Sequence, residues 1–126
     1  MGGTDAKKQI LVVDGDKAQL SGAAADLKDD YDVTTVTASK GAENGLSQGL
    51  APDLVLLDCF ETYDKIRALD SMRNVPVIFL TETNSPEEVK KALASGAADY
   101  ITKPYALENF MNRVKNAIQM YESKRR

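Results

Sequence analysis

Four short apolar runs punctuate the chain: Ile10 to Val13, Leu54 to Leu57, Val75 to Leu80, and a brief one around Tyr100–Ile101. The first three have strand length and little polar alternation, the pattern of strands covered on both faces of a parallel sheet. A weaker segment, Val33 to Val36, reads VTTV and fits an edge strand. Helical spacing fills the gaps. Asp16 is placed to cap a helix running to about Lys28, with Leu20 and Leu27 facing inward. Ser39 opens a second helix to about Leu50, although Gly22, Gly41 and Gly45 weaken these two segments by about 1 kcal/mol each relative to alanine. A third spans Phe60 to about Ser71, with Ile66 and Leu69 on one face. The fourth has the clearest start: Ser85 caps, Pro86 takes the first helical position and Glu88 closes a capping box. Val89, Ala92 and Leu93 form its apolar stripe, and Gly96 stops it. The last helix, about Ala106 to Ser123, carries a stripe of Leu107, Phe110, Met111, Val114, Ile118 and Tyr121. Its basic end, Lys124-Arg125-Arg126, complements the helix dipole.

Five strands alternating with five helices imply a parallel α/β sheet with right-handed crossovers. The arrangement predicted is a flavodoxin-like, doubly wound, three-layer fold with strand order 2-1-3-4-5. A length of 126 residues fits one domain, with residues 1–8 read as a flexible N-terminal extension. Composition narrows the function. A net charge of −3 argues against direct nucleic-acid binding. No apolar run approaches the ~20 residues that span a bilayer, and the N-terminus lacks a signal-peptide core. With a lone cysteine, Cys59, there is no internal disulfide, and without histidine the usual zinc sites and acid–base pairs are excluded. The expected location is the cytoplasm.

In an open parallel sheet, ligands bind beyond the carboxyl ends of the strands, at the point where strand order reverses. Strand 1 ends at Asp14, with Asp16 close behind; strand 3 ends at Asp58, strand 4 at Thr81, and Lys103 follows strand 5. Order 2-1-3-4-5 makes strands 1 and 3 neighbours, so Asp14 and Asp58 should converge on one pocket. Clustered carboxylates are stabilised by a cation, and hard oxygens select Mg²⁺. An aspartate can act as a nucleophile and form an acyl phosphate. The Thr81 hydroxyl and the Lys103 ammonium could bind phosphoryl oxygens.

At this point the sequence resembles the response-regulator receiver family. The matching pieces are ILVVDGD, PDLVLLD, VPVIFLT, the GAADYITKP run and a closing amphipathic helix, in order and with family-like spacing. The resemblance implies that Asp58 is the phosphoacceptor and that Asp14 belongs to the metal-binding acidic pair, with Asp16 and Asp58 as further candidate ligands. It implies that Thr81 is the switch hydroxyl, Lys103 the phosphate-contacting lysine and Tyr100 the aromatic whose rotamer reports activation. It also implies a cis Lys103–Pro104 bond, Mg²⁺ as cofactor and a histidine kinase or phosphotransfer protein as donor. The output would be a downstream protein or a second copy meeting the face made by helix 4, strand 5 and helix 5, in trans if no output domain is attached.

The sequence departs from that family twice. The second acid of the pair is replaced by Gly15, and an acid returns only at Asp16, which could reach in as a ligand or serve only as a cap. The segment after Asp58 is about six residues short, leaving a strand–helix loop of one or two residues and bringing a helix N-terminus close to Asp58. Glu61 is a candidate substitute ligand. Both departures weaken the expected metal site. They leave open a second reading, a phosphorylation-independent pseudo-receiver acting as a protein-interaction module. A third reading takes Asp14-Gly15-Asp16 as the DxD motif of a haloacid-dehalogenase-like phosphatase with Asp14 as nucleophile. No turnover of an external substrate is expected from the receiver readings. Cys59 reads as a small reduced filler after a strand.

Overall fold

A computed structural model describes residues 7–82 and 85–124. The strands are β1 (Gln9–Val13), β2 (Asp32–Val36), β3 (Leu54–Leu57), β4 (Val77–Thr81) and β5 (Asp99–Thr102). The helices are α1 (Lys17–Leu27), α2 (Ser39–Ser47), α3 (Phe60–Arg67), α4 (Pro86–Ala94) and α5 (Leu107–Lys124). All strands are parallel, in the order β2-β1-β3-β4-β5. The sheet is thus the doubly wound one expected from the alternation, with VTTV at its edge.

Alternate residues of the buried strands feed two separate cores. Ile10, Val12, Leu54, Leu56, Ile78, Leu80 and Ile101 pack with α1 and α5 through Leu20, Leu27, Phe110, Val114 and Ile118. Leu11, Val13, Val55, Leu57, Val77, Phe79 and Tyr100 pack on the other face with α2, α3 and α4 through Leu46, Tyr63, Ile66 and Ala92. Phe79 is the centre of the second core. Its ring lies 4.7 Å from Phe60, 5.3 Å from Tyr63 and 5.9 Å from Tyr100.

At the start of the described chain, Lys8 Nζ pairs with Glu122 Oε2 at 2.8 Å, and Asp32 N–H donates to the Lys8 carbonyl. Residues 1–6 lie outside the described residues, as do Arg125 and Arg126. The expected helix ends and stripes need correction. Helix α2 ends at Ser47 rather than Leu50, because Gly49 takes φ +104° and turns the chain. Helix α3 ends at Arg67 and gives way to a single 3-10 turn, Asp70–Met72. Arg67 Nη1 fixes that turn by donating to the carbonyls of Met72 at 2.6 Å and Val75 at 2.9 Å. Leu93 and Leu107, assigned above to the apolar stripes of their helices, are 48% and 53% exposed, while Met111 and Tyr121 are half-buried. Their helices meet the sheet through a narrower stripe than periodicity alone indicates.

Candidate functional site

The four strand-end residues are brought to one level by the register of the sheet. Val13 of β1 stands opposite Leu57 of β3, so Asp14 and Asp58 follow paired positions. Leu57 stands opposite Phe79, two residues before Thr81, and Thr81 is paired with Thr102 of β5. Lys103 N–H donates to the Thr81 carbonyl at 2.8 Å, and the Lys103–Pro104 peptide bond is cis. Asp14, Asp58, Thr81 and Lys103 line one cleft of about 310 Å³ at the carboxyl edge of the sheet, together with Gly15, Asp16, Gln19 and Glu82.

Within this cleft Asp14 is the most constrained group. It is 7% exposed, and both carboxylate oxygens are engaged. Oδ1 accepts from the Asp16 backbone N–H at 2.9 Å, and Oδ2 accepts from Lys103 Nζ at 3.0 Å. Asp16 acts as the N-cap of α1: its Oδ1 accepts from the N–H groups of Ala18 at 2.8 Å and Gln19 at 3.3 Å. Asp58 is half-buried. Only Asp58 and Cys59 separate β3 from α3, so the phosphoacceptor candidate lies two residues before the helix. Cys59 is the N-cap residue without a side-chain cap bond; its Sγ lies 3.3 Å from Thr62 Oγ1. Glu61, the candidate substitute ligand, does not line the cleft; it pairs with Lys65 Nζ at 3.4 Å on α3.

Tyr100 points inward, 8% exposed, stacked on Phe79 with its hydroxyl 3.5 Å from Glu88 Oε2 on α4. Burial, reinforced by the neighbouring Glu88 carboxylate, raises its pKa above the ordinary tyrosine value. At the start of α4, Ser85 Oγ accepts from the Glu88 N–H at 3.2 Å. Glu88 thus joins the helix cap to the buried aromatic.

The candidate ligands Asp14, Asp16 and Asp58 all line the cleft, with Asp16 Oδ1 also capping α1. Among the described residues no three aspartate, glutamate or cysteine side chains gather in an arrangement able to hold a metal. Gly15 contributes no side chain, and a Cβ there would meet nothing closer than the Thr37 carbonyl oxygen at 3.9 Å. Carboxylate oxygens retain a second lone pair after accepting one hydrogen bond. Two carboxylates fit a largely hydrated Mg²⁺, which is commonly held by one or two carboxylates and water. They do not form a closed protein cage.

Reasoning from strand ends found Asp14, Asp58, Thr81 and Lys103 but missed Gln19 and Glu82. Glu82 follows Thr81 directly, and Gln19 lies three residues beyond the cap Asp16. Extending the search one residue past each strand and one turn into the first helix would have found both.

The profile of the response regulator receiver domain matches residues 10–115. Hybrid signal transduction histidine kinase D of Dictyostelium discoideum is 29% identical over 125 residues, 93% of this chain and 8% of that protein. The DNA-binding dual master transcriptional regulator RpaA of Synechocystis is 31% identical over 116 residues, 85% of this chain and 47% of that protein. The chain therefore spans less than half the length of either relative. Among solved structures, the non-phosphorylated HemR receiver domain from Leptospira biflexa superposes with a TM-score of 0.77 at 30% identity, covering 89% of this chain and 94% of that one.

Proposed function

The chain belongs to the response regulator receiver domain family of two-component signalling, and on that premise we propose that Asp58 is its phosphoacceptor. The observation that carries the proposal is the meeting of Asp58 with Asp14, Thr81 and Lys103 in one cleft, where Asp14 holds Lys103 at 3.0 Å. An Asp58 carboxylate oxygen attacks the donor phosphorus. The new O–P bond forms as the donor's bond to its leaving group breaks, and the leaving group departs with the electron pair. Lys103 has three N–H donors; one is engaged by Asp14 and the others are available to phosphoryl oxygens. On this reading the hydroxyl of Thr81, which ends β4 and lines the same cleft, would donate to the phosphoryl group.

Receivers hold Mg²⁺ at their acidic pocket, where the ion neutralises charge between carboxylate and phosphoryl group. Here Asp14 and Asp58 would hold it, with low affinity because Gly15 supplies no ligand. Receivers work with histidine kinases or phosphotransfer proteins and with downstream effectors. We assign the effector surface to α4, β5 and α5, where Leu93 and Met120 are exposed and Tyr100 is tied to Glu88. Added negative charge at Asp58 would draw in Thr81 and Lys103 and shift a pre-existing equilibrium at that face. No helix among the described residues is long and apolar enough to cross a membrane; the proposal places the domain in the cytoplasm with its kinase.

One observation favours the pseudo-receiver reading: Asp16 Oδ1, next to the missing acid at Gly15, caps α1. The phosphatase reading requires Asp14 as nucleophile, whereas the family match is to receivers. Borohydride reduction after treatment with a phosphodonor distinguishes all three, since it converts an aspartyl phosphate to homoserine. Homoserine at position 58 supports the proposal, homoserine at position 14 supports the phosphatase reading, and none at either supports the pseudo-receiver.

A further inference from the structure

Two rim side chains meet across the mouth of the Asp58 cleft. Gln19 stands in the first turn of α1, and Glu82 follows Thr81 in the segment leading to α4. Gln19 Nε2 donates to Glu82 Oε1 at 2.6 Å, joining positions 63 residues apart. A short bond to a charged acceptor is stronger than one between neutral groups. Glu82 is exposed and Gln19 half-buried, so it is the amide rather than packing that orients this carboxylate.

The charge in the cleft gives the pair its consequence. Among the described residues, Asp14, Asp16, Asp58 and Glu82 line it against one ammonium, Lys103. Lys103 is bonded to Asp14, and Asp16 is bonded to the N-terminus of α1. Glu82 forms no salt bridge with any lysine or arginine among the described residues. It is exposed and lines the same cleft as Asp58.

We propose that the Gln19–Glu82 pair screens small phosphate dianions from Asp58, with Glu82 as the specificity-determining charge and Gln19 as its positioning residue. This rests on the reading of Asp58 as phosphoacceptor. A dianionic donor meets like-charge repulsion at the rim, and a donor of lower charge meets less. The effect is strongest at low ionic strength because the rim is exposed and its charges are screened by salt. With acetyl phosphate, the O–P bond to Asp58 forms as the P–O bond to acetate breaks. With phosphoramidate, whose net charge is lower, the P–N bond breaks and ammonia leaves with the proton.

The test compares the full chain with Glu82→Gln and Gln19→Ala, at fixed Mg²⁺, using each donor. Glu82→Gln should speed labelling by acetyl phosphate about 5- to 10-fold and by phosphoramidate less than about 2-fold, with the difference shrinking at high salt. Gln19→Ala should move the ratio in the same direction by about 2-fold, because the carboxylate keeps its charge and loses its position. Equal changes with both donors would overturn the proposal. A second arm titrates inorganic phosphate by NMR without metal. Glu82→Gln should bind it about 3-fold more tightly or better; unchanged affinity overturns the screen. If no variant is labelled by either donor, the phosphoacceptor reading falls, while the phosphate titration still decides whether the rim charge excludes dianions.

Discussion

Lys103 Nζ lies 3.0 Å from Asp14 Oδ2, joining the end of β5 to the end of β1 across 89 residues, with the two side chains 15% and 10% exposed. An ion pair this enclosed is held in place because each charge without the other would be poorly solvated. Replacing Lys103 with methionine keeps the stem and removes the cation. The variant should lose about 3 kcal/mol of stability in urea denaturation. Adding Asp14→Asn should then cost clearly less than the same change made in the unaltered protein. Additive losses would mean that the two groups do not interact.

Substitutions at Gly15 and at Asp16 make different predictions about Mg²⁺. Gly15→Asp restores a carboxylate where space is open and the backbone is unstrained, and it should tighten Mg²⁺ binding by about 10-fold or more, measured by calorimetry. Asp16→Asn retains a good N-cap and should leave both stability and Mg²⁺ affinity unchanged. A marked fall in affinity would show that Asp16 is a ligand rather than a cap.

Tyr105 donates its hydroxyl to Asp26 Oδ2 at 2.6 Å, linking the segment before α5 to α1. Burial, then this hydrogen bond and the carboxylate's charge, push the Tyr105 pKa well above 10. The folded state therefore holds the proton more tightly than the unfolded state. This contribution to stability is complete below the ordinary tyrosine pKa of about 10 and is lost as pH rises from there towards the folded value. Stability measured from pH 9 to 12 should fall, and Tyr105→Phe should make the fall shallower. Tyr31 and Tyr100, whose pKa values are also raised by burial, add to the fall in the same direction.

Phe79 is 1% exposed and touches the rings of Phe60, Tyr63 and Tyr100. Phe79→Ala should cost about 4 kcal/mol. Because Phe60 begins α3 two residues after Asp58, the same change should also loosen the site. Faster amide exchange at residues 58–60 than in a Leu46→Ala control of matched stability would register this.

The fold was legible where the sequence repeats one instruction many times. Ile10 to Val13 and Leu54 to Leu57 are apolar at every position because both faces of the sheet are covered. Asp14 and Asp58 were legible for the complementary reason: each is the first polar residue where an apolar strand stops, and Lys103 directly follows the end of β5. Exposed positions on helices carry no such constraint. Leu107 has the right period and faces solvent, because α5 meets the sheet mainly through Phe110, Val114 and Ile118. The early end of α3 depends on Arg67 reaching two carbonyls beyond its own helix, and Tyr63 donates to the Ser95 carbonyl at 2.7 Å. The Gln19–Glu82 bond was likewise hidden, since two ordinary polar residues acquire significance only when folding brings them together.

The most direct test of Asp58 as phosphoacceptor is the intact mass of the protein after incubation with acetyl phosphate and Mg²⁺, beside Asp58→Asn. The account predicts a gain of one phosphate that is absent in the variant. No gain at millimolar donor and metal, or an equal gain in Asp58→Asn, would contradict it.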